Sequence, residues 1–102
     1  MEDPAYISDS NSKDVSTPYG DPSSQLILGS IADVPVVILY RHGPAHTINP
    51  TNINYRANIS ALKEEGCTHI LAATACGSLR EQIEPGHFVF PDQFIDRTTK
   101  RI

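Results

Sequence analysis

The chain has no apolar stretch long enough to cross a bilayer. Its longest mainly apolar run is VPVVILY, residues 34–40, whereas a membrane-spanning helix needs about 20 such residues. No membrane partner is expected. A basic stripe is also lacking: eight Lys and Arg stand against twelve Asp and Glu, for a formal net charge of −4. A phosphodiester backbone is bound by a concentrated positive face, so no nucleic-acid partner is expected. Cysteine is scarce. Cys67 and Cys76 lie in neither a CxxC nor a CxxxxH spacing, which argues against a zinc site and for reduced thiols in a cytosolic protein. The opening Met1-Glu2-Asp3-Pro4 is acidic where a secretory signal is positive and then apolar. There are no internal repeats.

What is present organises into two parts. Residues 1–24 hold few large apolar side chains and many Ser, Asp and Pro, so they read as a flexible coil segment with turn chemistry at Pro18-Tyr19-Gly20-Asp21-Pro22. Residues 25–102 form the ordered body. Residues 25–29 read as a short strand, Ala32-Asp33 as a turn, and residues 34–40 as a strand buried on both faces, with Pro35 at its start where no ladder donor is needed. From Ile53 the period changes to helical, with Ile53, Ala57, Ile59, Ala61 and Leu62 on an apolar stripe. Asn52 or Asn54 caps this helix, which is expected near residues 54–65, and Gly66 follows it as a C′ residue. Residues 69–74 read as a second buried strand, parallel to 34–40, which makes a right-handed βαβ unit. Ala75-Cys76-Gly77-Ser78 reads as a tight turn, Glu84-Pro85-Gly86 as another, and residues 87–90 as a fourth strand extended by 93–95.

Ligands of open α/β sheets bind beyond the carboxyl ends of strands. Arg41-His42-Gly43 follows one strand and Thr74-Ala75-Cys76-Gly77-Ser78 follows the other. Arg41 offers a planar fork of donors for phosphate oxygens. The small residues after Thr74 let backbone N–H groups approach an anion, and the Thr74 hydroxyl adds a bond. Together they describe an oxyanion pocket. Taken singly, Arg41 reads slightly better as a surface ion-pair residue and Thr74 with its turn better as tight packing, while His42 and His46 read as solvated loop histidines and His69 as structural. The cysteines read as inert small hydrophobes.

Several blocks resemble the methylthioadenosine phosphorylase branch of the purine nucleoside phosphorylases. They are Arg41-His42-Gly43 with His46 and Pro50, residues 52–59 with 61–63, residues 74–81, and residues 92–98. Thr17-Pro18-Tyr19-Gly20 and Pro22-Ser23 resemble the early loop of that family. The resemblance implies an α/β fold, a partial purine nucleoside phosphorylase-like fold with a mixed β-sheet flanked by helices. It implies a pentosyltransferase catalysing reversible phosphorolysis of 5′-methylthioadenosine to adenine and 5-methylthioribose 1-phosphate, in purine and methionine salvage. Phosphate attacks the anomeric carbon, the purine leaves and the configuration inverts, through an oxocarbenium-like sugar. No metal or organic cofactor is implied, and inorganic phosphate is the co-substrate. By resemblance Arg41, His42, Thr74 and Ala75 lie at the phosphate, with His46 an additional candidate. The resemblance further implies a homotrimer found in the cytoplasm and, in animals, also in the nucleus.

The family pattern also contains an opening strand with a Gly-Gly-Ser/Thr-Gly turn, and later residues that hold ribose and purine. None occurs in these 102 residues. The expectation is an incomplete N-terminal part of a phosphorylase domain, inactive by itself, with its catalytic residues unassigned. The choice between 6-amino and 6-oxo purines stays open, although Ala75-Cys76-Gly77 leans toward the animal-type enzymes by resemblance. Two alternatives stand beside this. Arg-His-Gly after a strand also opens the histidine phosphatases, and the chain could be a non-catalytic phosphorylase-derived fragment.

Overall fold

The computed structural model describes residues 5–101. The acidic opening Met1-Glu2-Asp3-Pro4 and the terminal Ile102 lie outside the described residues. Two compact units divide the described residues, one holding 5–69 with 100–101 and the other 70–99.

The first unit is built on a hairpin. Strands β2 (Leu26–Ile31) and β3 (Val34–Ile38) pair antiparallel from Ile31↔Val34 to Ile27↔Ile38. The turn between them is Ala32-Asp33, as expected, and both residues have positive φ, 49° and 64°. Two left-handed residues in a two-residue loop mark a type I′ turn, whose twist matches that of the flanking strands.

A third strand, β1 (Ser8–Lys13), pairs antiparallel with the other edge of β2, giving the order β1-β2-β3. This corrects the coil expected there. Every residue of β1 is exposed and its sequence, SDSNSK, has no apolar side chain. Its backbone groups nonetheless satisfy the outer edge of β2, a requirement that side-chain composition does not reveal. The register steps from Ser8↔Ser30 to Asn11↔Leu28, so β1 carries one extra residue there, and Asp9 takes φ 54°. That is a β-bulge on an exposed polar edge strand, a combination that discourages further strand pairing. Gly29 permits the pairing: a Cβ there would lie 2.7 Å from Ile7 Cγ1 and 2.9 Å from the Ser8 carbonyl oxygen.

Helix α1 (Tyr55–Glu64) forms where expected. Asn54 caps it, its Oδ1 accepting from Ala57 N at 3.1 Å. Gly66, at φ 86°, ends it: Gly66 N donates to Lys63 O at 3.0 Å and Cys67 N to Leu62 O at 3.2 Å. This paired arrangement is a Schellman motif, satisfying carbonyls the helix leaves open. Among the described residues, the buried apolar side chains are Leu26, Ile53, Ala57 and Ala61. Ala57 and Ala61 are one turn apart on one helix face. The Lys13 ammonium pairs with the Glu65 carboxylate, linking the end of β1 to the end of α1.

The second unit contains no helix or strand. The strands expected at residues 69–74, 87–90 and 93–95 do not form, and neither does the tight turn at 75–78. The parallel pairing of 34–40 with 69–74, and with it the βαβ unit, is therefore corrected: the described sheet is antiparallel throughout. Apolar, β-prone residues form a strand only against a partner edge, since an isolated strand leaves its ladder groups unpaired. The turn at Pro85-Gly86 does form, with His87 N donating to Glu84 O at 3.1 Å and Gly86 at φ 90°.

Candidate functional site

The sheet ladder ends at Ile27↔Ile38. Two residues later Tyr40 N donates instead to the Ser24 hydroxyl, at 3.0 Å. The chain then folds back through residues 41–46. Gly43 N donates to Tyr40 O at 2.9 Å, His46 N to Gly43 O at 3.1 Å, and Ile48 N to His42 O at 2.9 Å. Gly43 is buried with φ 81°, and a Cβ there would meet Ile48 Cδ1 at 3.4 Å. Its place in Arg41-His42-Gly43 thus has a backbone reason.

Within this turn the side chains of Arg41, His42 and His46 are brought together. Arg41 Nε donates to His42 Nε2 at 3.2 Å. His42 Nδ1 lies 2.8 Å from the Ile48 carbonyl oxygen. A carbonyl only accepts, so Nδ1 carries the proton and Nε2 presents the lone pair that Arg41 meets. Both ring nitrogens are engaged and the imidazole is fixed in orientation. The ring of His46 lies 4.8 Å from that of His42, tilted by 38°. His46 itself sits at φ 56°. A guanidinium at the end of a strand suits a multiply charged oxyanion, and His42, with both ring nitrogens engaged, fixes its place from beside it.

A loop and a helix face support this turn. Asn58, one helical turn after the cap Asn54, is 6% exposed. Its Oδ1 accepts from Ser23 N at 2.8 Å and its Nδ2 donates to Ser23 Oγ at 3.1 Å. Asn54 Nδ2 donates to Tyr19 O at 2.8 Å, while Gly20, at φ 101°, brings the backbone close to it. Arg56 lies over the Tyr19 ring, 5.7 Å from its centroid. Thr17 and Gly20 exchange backbone hydrogen bonds of 3.1 and 3.2 Å. Residues 17–24 are thereby held along α1. The sequence carries one trace of this: polar Asn54 and Asn58 at i,i+4, beside the apolar stripe.

Thr74 and Ala75 belong to the second unit, where both are exposed. The Thr74 hydroxyl is 3.5 Å from the Ala75 carbonyl oxygen. Neither residue follows a strand, so the argument from parallel strand ends does not extend to them, and their part in a phosphate site rests on resemblance. Nearby, Ser78 Oγ donates to Arg80 O at 2.8 Å and accepts from Arg80 N at 3.1 Å. Cys67 and Cys76 are free thiols. Among the described residues no group of three or more His, Cys, Asp or Glu is placed to hold a metal ion.

Comparison with known proteins supplies the wider context. S-methyl-5'-thioadenosine phosphorylase of Danio rerio is 62% identical over 102 residues, covering 100% of this chain and 36% of that protein. The protein of the same name from Drosophila melanogaster is 55% identical over 102 residues, covering 100% of this chain and 35% of its own length. Among solved structures, methylthioadenosine phosphorylase from Schistosoma mansoni in complex with tubercidin matches with a TM-score of 0.89 at 50% identity, over 99% of this chain and 35% of that one. The chain thus spans little more than a third of the relatives it matches, and it shares their α/β fold. These matches take in Arg41-His42-Gly43 and do not favour a histidine phosphatase. A family model described as the phosphorylase superfamily matches residues 2–101, and the chain belongs to that superfamily.

Proposed function

We propose that this chain supplies phosphate-binding residues to a methylthioadenosine phosphorylase, which converts 5′-methylthioadenosine and phosphate reversibly to adenine and 5-methylthioribose 1-phosphate. The relatives at 62% and 55% identity bear the name of that activity. The observation that carries the assignment within the chain is the Arg41–His42 pair. Its 3.2 Å contact and the 2.8 Å anchor of His42 on Ile48 hold a cationic fork and an imidazole at the end of β3. By resemblance Arg41, His42, Thr74 and Ala75 are phosphate contacts and His46 an additional one. With Nδ1 held on Ile48, His42 meets phosphate through Nε2, exchanging its Arg41 contact for a phosphate O–H.

Phosphate held in this way attacks the anomeric carbon as the bond to the purine breaks, with inversion. The chain's residues contribute by positioning the nucleophile and screening its charge. Inorganic phosphate is the co-substrate, and no metal or organic cofactor takes part. The enzyme acts in purine and methionine salvage as a homotrimer, in the cytoplasm and also in the nucleus.

The test exchanges this chain for the matching segment of the Danio rerio phosphorylase and measures the Michaelis constants separately. Arg41→Ala is expected to raise KM for phosphate by about 10- to 100-fold, the loss of one charge-assisted contact. KM for methylthioadenosine should change little. An unchanged phosphate constant would make Arg41 a surface residue without a role in binding.

A further inference from the structure

We infer that Ser24, braced through Ser23 by Asn58, is a positioning residue for the Arg41-His42-Gly43 turn. Resting on the assignment of Arg41 and His42 to phosphate, it identifies what sets their place. The β2–β3 register, continued past Ile27↔Ile38, would put Tyr40 opposite Gln25. The ladder stops before that pair, so the backbone immediately ahead of Arg41 has lost its sheet partner. The Ser24 hydroxyl takes over, accepting Tyr40 N–H at 3.0 Å while donating to Gln25 O at 2.8 Å. A side chain from the neighbouring segment therefore anchors the residue that leads into the turn.

Ser24 is not left to choose its own position. Its neighbour Ser23 is gripped at two points by buried Asn58, backbone N–H at 2.8 Å and hydroxyl at 3.1 Å. Ser23 also lies beside the turn, its carbonyl oxygen 3.7 Å from where a Cβ on Gly43 would be. The path from helix to turn is continuous: Asn58 on α1, Ser23, Ser24, Tyr40 N, then Arg41. None of these supporting groups needs to touch phosphate. Their effect is on where the guanidinium and imidazole stand, and misplacement by about 1 Å can cost on the order of 100-fold in a positioned reaction.

The experiment uses the full-length exchange protein described above and compares Ser24→Ala, Ser24→Thr and Asn58→Asp with Arg41→Ala. Ser24→Ala is expected to raise the phosphate KM about 3- to 10-fold, the range set by one lost hydrogen bond. KM for methylthioadenosine and the thermal midpoint should stay near the parent values. Ser24→Thr, which keeps the hydroxyl, restores the phosphate constant. Asn58→Asp keeps the acceptor for Ser23 N–H but replaces the Nδ2 donor to the Ser23 hydroxyl with an acceptor, and should fall between the two. A raised phosphate KM in Arg41→Ala with none in Ser24→Ala overturns the positioning role and leaves the phosphate assignment standing. No change in Arg41→Ala overturns both. Equal rises for both substrates in Ser24→Ala, tracking a lowered thermal midpoint, reduce Ser24 to a stabilising residue and also overturn the inference.

Discussion

Leu26 on β2 is fully buried, whereas Leu71 is 74% exposed and Phe88 is 92% exposed. The first unit and the second are made from similar apolar material, yet only one of them covers it. In the first unit each element finds its partner within the unit. A two-residue turn closes β2 onto β3, α1 bonds to itself and is capped at both ends, and β1 returns to the free edge of β2. The second unit has runs of comparable composition, at 70–74 and 87–90, that form no strand. Burying one large side chain such as Phe88, Phe90 or Phe94 stabilises by roughly 1.5–3 kcal/mol, and the second unit forgoes this at each of them. Strand propensity describes how a segment pairs once an edge is offered. It does not create the edge.

The sharpest way to test this contrast is activity. The 102-residue polypeptide by itself is expected to give no adenine from methylthioadenosine and phosphate above background. Positioning of phosphate, ribose and purine supplies roughly 7–11 kcal/mol in reactions of this kind, and Thr74 and Ala75 sit in the unit without regular structure. Robust turnover with a sharp thermal transition would show that the second unit orders itself.

Amide exchange followed by mass spectrometry probes the same contrast residue by residue. Amides of β2, β3 and α1 should exchange at least about 100-fold more slowly than those of residues 70–99, where no ladder protects them. Equal protection in the two regions would break the comparison outright. Within the first unit, Gly29→Ala should strip protection from β1 and β2 together. Its Cβ would press on the Ser8 carbonyl, which cannot swing away as a side chain can, and the cost is about 1–3 kcal/mol. Full protection in that variant would mean that β1 yields easily.

The smallest effect should come from the hairpin turn. Ala32 sits at φ 49°, a conformation that disfavours Ala by roughly 1–2 kcal/mol and that Asn tolerates better. Ala32→Asn is expected to slow exchange across β2 and β3 by up to about fivefold, under 1 kcal/mol. A loss of protection would mean that the turn is not of type I′.

Elements closed by neighbours in sequence were legible without coordinates. The Ala32-Asp33 turn, the strand beginning near Val34 and the helix between Asn54 and Gly66 depend on contacts a few residues apart, and each carries its own signal. The family was legible too, from blocks around Arg41, Asn58, Thr74 and Asp92. Of the candidate site, Arg41, His42 and His46 come together in one turn, while the strand-end geometry expected for Thr74 is absent.

Sequence by itself determined the pieces whose hydrogen bonds run from i to i+3 or i+4, because caps, turns and periodicity are written in adjacent residues. Tertiary structure alone decided the rest. It chose β1, whose SDSNSK side chains say nothing of the backbone edge they accompany. It fixed the tautomer of His42, because the Ile48 carbonyl arrives across a turn. It joined Asn58 to Ser23 across 35 positions of chain, and so determined where Arg41 stands. Such contacts depend on which distant segment meets which, and that is settled only when backbone donors, acceptors and buried side chains are satisfied together.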